Sequence, residues 1–142
     1  MLCMTTPDKA VPPGALESVG GFVWWYADLL DERGNGVVVI PSWGLPFLPG
    51  YAAAARSGKG VQACSRPSLA LSIYKQGRPA FYLLQETAPE SASATGHHVR
   101  FGDSEFLFEN GSLRATLDLP VSGGRLEGTI VCLLYTSDAA DE

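Results

Sequence analysis

The 142-residue chain has little of what most functional signatures are built from. No apolar run approaches the ~20 residues a membrane-spanning helix needs. There are two histidines and three cysteines. Cys3 and Cys64 have neither metal-site nor disulfide-framework spacing, so free thiols account for them. His97 and His98 are neighbours, and adjacent strand residues face opposite ways, which excludes them as joint ligands of one metal. Solvated histidines at a loop end are the better account. Lys and Arg total 10 and never cluster, so the electrostatic footprint of a nucleic-acid binder is missing. Gly58-Lys59-Gly60 has the spacing of neither phosphate-binding loop. Ser42, between Pro41 and Trp43, is not in a nucleophile elbow. Met1 to Pro13 carries Lys9 as its only base and no apolar core, so it does not read as a secretory signal. The compartment expected is cytoplasmic.

Cys132 to Glu142 resembles the translation of a sequencing adapter and is set aside from fold reasoning. On that reading the native chain runs to about Val131 as a fragment of a longer protein. The formal charge of -5 then shrinks, because 12 acids remain against 10 bases. The acidity is mostly tail and implies no acidic function.

What remains is rich in short alternating runs. Met1 to Val19 reads as an extended, proline-bearing lead-in. Phe22–Leu30 and Val37–Trp43 flank Gly34-Asn35-Gly36, whose residues tolerate the positive φ of a tight reversal. Pro41 lacks a ladder donor, which predicts an edge strand or a bulge. Gly44 to Gly50 is a connector with two prolines, and Tyr51–Arg56 is a short helix stopped by Gly58 and Gly60. Further strands are expected at Ser68–Lys75, Ala80–Thr87, His98–Phe101, Ser104–Glu109, Ser112–Leu119 and from Arg125 on. Pro89 to Gly96 reads as a loop. Asn110-Gly111 is a strong hairpin signal; it also opens a formal glycosylation triplet with Ser112, but the turn suffices to explain it. About eight short antiparallel strands and one helix make an all-β sandwich or barrel in residues 20–131.

The densest feature is Trp24-Trp25-Tyr26-Ala27-Asp28. Side chains alternate along a strand, so Trp24, Tyr26 and Asp28 share one face while Val23, Trp25 and Ala27 share the other. The first set suits a pocket wall and the second a core, although two core faces would read the same way. Asp28 and Glu86, set in apolar strands, are the carboxylates expected to face inward. Each is either a general acid with a raised pKa or a structural partner of Arg66 or Arg78. Trp43, Phe47, Tyr51, Tyr74, Phe81 and Tyr82 add aromatic faces that suit apolar or cationic ligands.

Gly20 to Asp28, with Val11-Pro12-Pro13-Gly14 upstream, resembles the start of carotenoid 1,2-hydratases (hydroxyneurosporene synthases). The likeness continues through Val37–Ile40, Pro49-Gly50-Tyr51, Cys64, Leu69–Tyr74, Val99–Gly102, Asn110-Gly111 and Arg125–Thr129. Ala15 to Val19 stands as an insertion relative to that family. The resemblance implies a cofactor-free enzyme of two lipocalin-like β domains, of which this is the first. An acid protonates a terminal isoprenoid double bond and water captures the tertiary cation. The family's acid lies in the second domain, so no catalytic residue is assigned here. The expected substrate-pocket residues are Trp24, Tyr26, Asp28, Trp43 and Tyr51, with no metal. The expected partners are an isoprenoid or carotenoid-like molecule, the missing C-terminal domain, and a membrane surface as the route of substrate access; nucleic acid is not among them. The alternatives are a non-catalytic carrier of an apolar ligand and a lipocalin-like pericyclase or terpene cyclase.

Overall fold

In the computed structural model, residues 14–95 and 97–133 are described. Cys3, most of the lead-in and the tail beyond Leu133 lie outside them. Strands are β1 (Val23–Trp24), β2 (Ala27–Leu30), β3 (Gly36–Trp43), β4 (Pro67–Lys75), β5 (Arg78–Glu86), β6 (Ala92–Thr95), β7 (His98–Phe101), β8 (Ser104–Glu109), β9 (Ser112–Val121) and β10 (Gly124–Leu133). One helix, α1, spans Tyr51–Arg56. It is far too short to cross a membrane, and no helix among the described residues is long and apolar enough to do so.

The protein is an all-β sandwich of two antiparallel five-stranded sheets. Sheet one runs β1-β3-β4-β5, with β2 also pairing to β3; sheet two runs β10-β9-β8-β7-β6. Alternation decides which residues meet between them. Val39, Trp43, Leu69 and Leu71 from sheet one pack with Val99, Phe101, Phe106, Phe108, Leu113, Ala115, Leu117 and Leu119 from sheet two. Trp43 is the hub, its ring 4.5 Å from that of Phe101 and 5.6 Å from that of Trp25. The outward positions of sheet two are mostly polar, Leu107 and Val131 apart: Arg100, Glu105, Arg114, Thr116 and Glu127 are all exposed. That is the pattern of a sheet with one wet face.

Several local expectations are corrected. Pro41 sits inside β3, which has partners on both sides, rather than on an edge strand. Its missing donor is tolerated because the neighbouring strand is interrupted there, between β1 and β2, where the Trp25 amide donates to the Pro41 carbonyl at 2.9 Å. The segment expected as a loop before Gly96 contains β6, whose small residues Ala92 and Ala94 pair with Phe101 and Val99. Small side chains fit beside those buried partners, which composition alone does not reveal. The part of the lead-in that is described, Gly14 to Val19, is turned rather than extended; Gly14 takes φ +77° and the Ser18 hydroxyl donates to its carbonyl at 2.7 Å. β10 continues two residues past Val131, and Cys132 is buried against the core.

The β2–β3 reversal is organised by Asp31 rather than by glycine alone. Its carboxylate accepts from the Arg33 and Asn35 amides at 2.9 and 2.8 Å and from the Asn35 side chain at 2.8 Å. These bonds hold the Asp31 carboxyl below its ordinary pKa, with the Asn35 side chain the largest cause. A carboxyl depressed in the folded state contributes stability that is full above its unfolded value and is lost as pH falls through the folded one. The melting temperature should therefore fall on acidification below about pH 4. In Asp31→Ala that acid-dependent loss should be smaller, and a melting curve series from neutral pH downward tests it. An unchanged acid limb would show that the turn does not hold the proton affinity down.

Candidate functional site

The outward side of sheet one contrasts with that of sheet two. Reading across the register, one row is Trp24, Ser42, Ser68 and Glu86, and another is Asp28, Val38, Ser72 and Tyr82. Between them Ile40, Ala70 and Leu84 lie side by side. Alternation puts Tyr26 in the same middle row. Trp24 is 48%, Tyr26 61% and Tyr82 65% exposed. Phe22 extends the set, its ring edge-on to Trp24 at 6.1 Å. The result is an open face of aromatic and aliphatic groups carrying two carboxylates, Asp28 and Glu86, in its outer rows. Exposed large apolar groups are common singly, but a contiguous set marks a binding surface.

One end of this face is walled. Leaving β3, the chain turns at Gly44, and Leu45, Leu48 and Tyr51 form a second apolar cluster that packs with Val61 and with Leu84 of the face. The Tyr51 hydroxyl donates to the Gly21 carbonyl, and burial raises its pKa. The Ser42 and Ser68 hydroxyls, wholly buried, bond each other at 2.8 Å. Arg66 ties the wall down, bonding Glu86 at 2.5 Å and donating to the Pro49 carbonyl at 3.3 Å.

The five expected site residues are thus divided. Trp24, Tyr26 and Asp28 do share the open face, and Tyr51 belongs to the wall at its end. Trp43 is on the opposite side of the sheet, in the core, because it alternates in step with Val39 and Pro41. Asp28 and Glu86 face outward rather than inward: Asp28 pairs with Val38, and Glu86 with Ser68, at outward positions. Of the two partners proposed for these acids, Arg66 is the one that Glu86 takes. The Tyr26 hydroxyl donates to Asp28 at 3.4 Å; partial desolvation, then the nearby Asp28 charge, raise the Tyr26 pKa. His98 lies 3.7 Å from Glu105 on the outer side of sheet two, and His97 is exposed. Among the described residues no group of His, Cys, Asp and Glu is placed to hold a metal ion.

Ile40 and Leu84 are not picked out by the sequence, and Tyr82 enters there only among the general aromatic faces, not among the five site residues. The Gln76-Gly77 turn pairs Lys75 with Arg78 and Tyr74 with Pro79, a register that would set Phe81 beside Ser72; the shift between Ile73 and Tyr74 sets Tyr82 there instead, on the face of Asp28, and the sequence does not signal it. Comparisons with protein families, characterised proteins and solved structures find no match for this chain.

Proposed function

We propose that this chain is the ligand-binding β domain of an enzyme of the carotenoid 1,2-hydratase kind, which seats a long isoprenoid on the outer face of sheet one. The observation that carries this reading is the contrast between the two outer faces. One is charged; the other presents Phe22, Trp24, Tyr26, Ile40, Tyr82 and Leu84 together. An extended polyene is flat and apolar and matches such a strip better than a compact polar substrate does. Hydration of a terminal alkene needs a proton donor, a site tolerant of a cation, and water. The proton goes to the less substituted carbon, water attacks the tertiary cation, and loss of a proton from the oxygen returns the acid. Electrons balance without a redox cofactor. Trp24, Tyr26 and Tyr82 offer π faces to the passing cation. On this reading the acid belongs to a second, lipocalin-like β domain, as the resemblance implies; the exposure of Asp28 and Glu86 supports this, since an alkene's acid needs an enclosed setting.

That same openness favours a second reading, a carrier that binds the isoprenoid without changing it. Two measurements separate the outcomes. Titrating an acyclic carotenoid into this chain should quench tryptophan emission, and Trp24→Ala with Tyr26→Ala should weaken binding by about tenfold or more, as expected for loss of two central aromatic contacts. Unaltered binding in that double variant rejects the face as the ligand site. Incubating protein that carries its natural sequence after Val131, in place of Cys132 to Glu142, with the carotenoid in ¹⁸O-water should yield a labelled tertiary alcohol. Binding without label supports the carrier.

A further inference from the structure

The four edges of the two sheets are not equally protected. Exposed strand edges invite pairing, and proteins blunt them with short strands, prolines, bulges or charges. β2 and β6 are four residues each. β5 carries Pro79 and a register shift opposite Ile73/Tyr74. β10 is ten residues long, contains no proline, and its last charge is Glu127. Among the described residues nothing pairs with its second edge.

The backbone groups on that edge can be assigned. Val121 and Gly124 close a two-residue loop, and such a pair exchanges both hydrogen bonds. Bonded and non-bonded pairs alternate along an antiparallel ladder. Gly124, Leu126, Gly128, Ile130 and Cys132 therefore bond to β9, while Arg125, Glu127, Thr129 and Val131 turn their N–H and C=O groups to the free edge. The inner side of β10 is also unfinished. Leu126 and Ile130 pack on the core yet remain half-buried, and Gly128 between them is exposed, with open space where a side chain would be.

We propose that β10 is a dimerisation edge, pairing antiparallel with β10 of a second copy about a two-fold axis at Thr129. In this register three of the four outward-turned residues meet one another as bonded pairs, Thr129 with Thr129 and Glu127 with Val131. On the inner side each copy's Ile130 falls opposite the other's Gly128, so a bulky group fills the open position and the core becomes continuous across the axis. The apolar stretch from Gly128 to Cys132 brings no like charges together. A two-fold contact closes on itself, which predicts a dimer rather than a growing aggregate.

Sedimentation of the whole chain over a range from micromolar to hundreds of micromolar tests this. A concentration-dependent dimer is expected. Thr129→Pro removes an N–H that points to the free edge and none that bonds β9, so it should leave the β circular dichroism intact and weaken the dimer at least about tenfold. Val131→Glu sets a charge against Glu127 of the second copy and should weaken it too, whereas Val131→Lys should hold or tighten it. Should the proline variant fail to fold, the opposite effects of Glu and Lys at the exposed Val131 decide alone. A chain that stays monomeric, or an assembly indifferent to both Val131 variants, overturns the proposal.

Discussion

Trp43→Ala is expected to cost about 3–5 kcal/mol of folding stability, the range for removing a buried Trp or Phe ring from a core. Trp43 is 3% exposed and joins the sheets through Phe101 on one side and Trp25 on its own. The surrounding groups are strand residues whose backbones are pinned by pairing, so the space left behind cannot close easily. Against a total of about 5–15 kcal/mol for a typical domain, that loss is a large fraction. Chemical denaturation followed by circular dichroism should show the midpoint falling sharply, and Trp43→Phe should recover most of it. Trp24→Ala is the contrast. Its ring is about half exposed on the outer face, so stability should change by no more than about 0.5 kcal/mol while binding suffers. If both variants unfolded alike, the division of the five aromatic and acidic site residues between core and face would be wrong.

That division explains how far the sequence could be read. Alternation along Gly21 to Asp28 was legible in full, since exposure does alternate from Phe22 through Asp28 even across the break between β1 and β2. The Asn110-Gly111 reversal was equally plain, with both residues at positive φ joining β8 to β9. Parity says which residues share a face but not which face meets the other sheet. Trp43 and Trp24 look alike as strand aromatics, yet they end on opposite sides because β1 and β3 are registered through Trp24 and Ser42. The acids misled for a related reason. An apolar setting in sequence is not an apolar setting in space when the apolar neighbours themselves lie open, as around Asp28. β6 was hidden because Ser, Ala and Thr carry almost no pattern; its strand character comes from β7.

The face and the core also have different tolerances, and the corner that joins them is the tightest place described. Gly44→Ala is expected to destabilise strongly there. Gly44 has φ +67°, and an added Cβ would lie 2.5 Å from the Gly21 carbonyl oxygen, 2.6 Å from the Tyr51 hydroxyl and 2.9 Å from the Ala63 Cβ. The left-handed backbone costs an alanine about 1–2 kcal/mol, and forcing atoms into a filled site typically adds about 1–3. The backbone cannot simply move away, because the Gly44 amide donates to the Arg66 carbonyl at 2.9 Å and Tyr51 is bonded to Gly21. Tyr51→Phe alone removes that hydroxyl and leaves a carbonyl short of a donor, which should cost about 1–3 kcal/mol. It also removes one of the atoms that the new Cβ would strike. The double variant should therefore lose less than the sum of the two single losses, by an amount readable in a double-mutant cycle of unfolding free energies. Strict additivity would mean that the hydroxyl does not crowd Gly44, and that the wall at the end of the aromatic face is not locked to β3 through this corner.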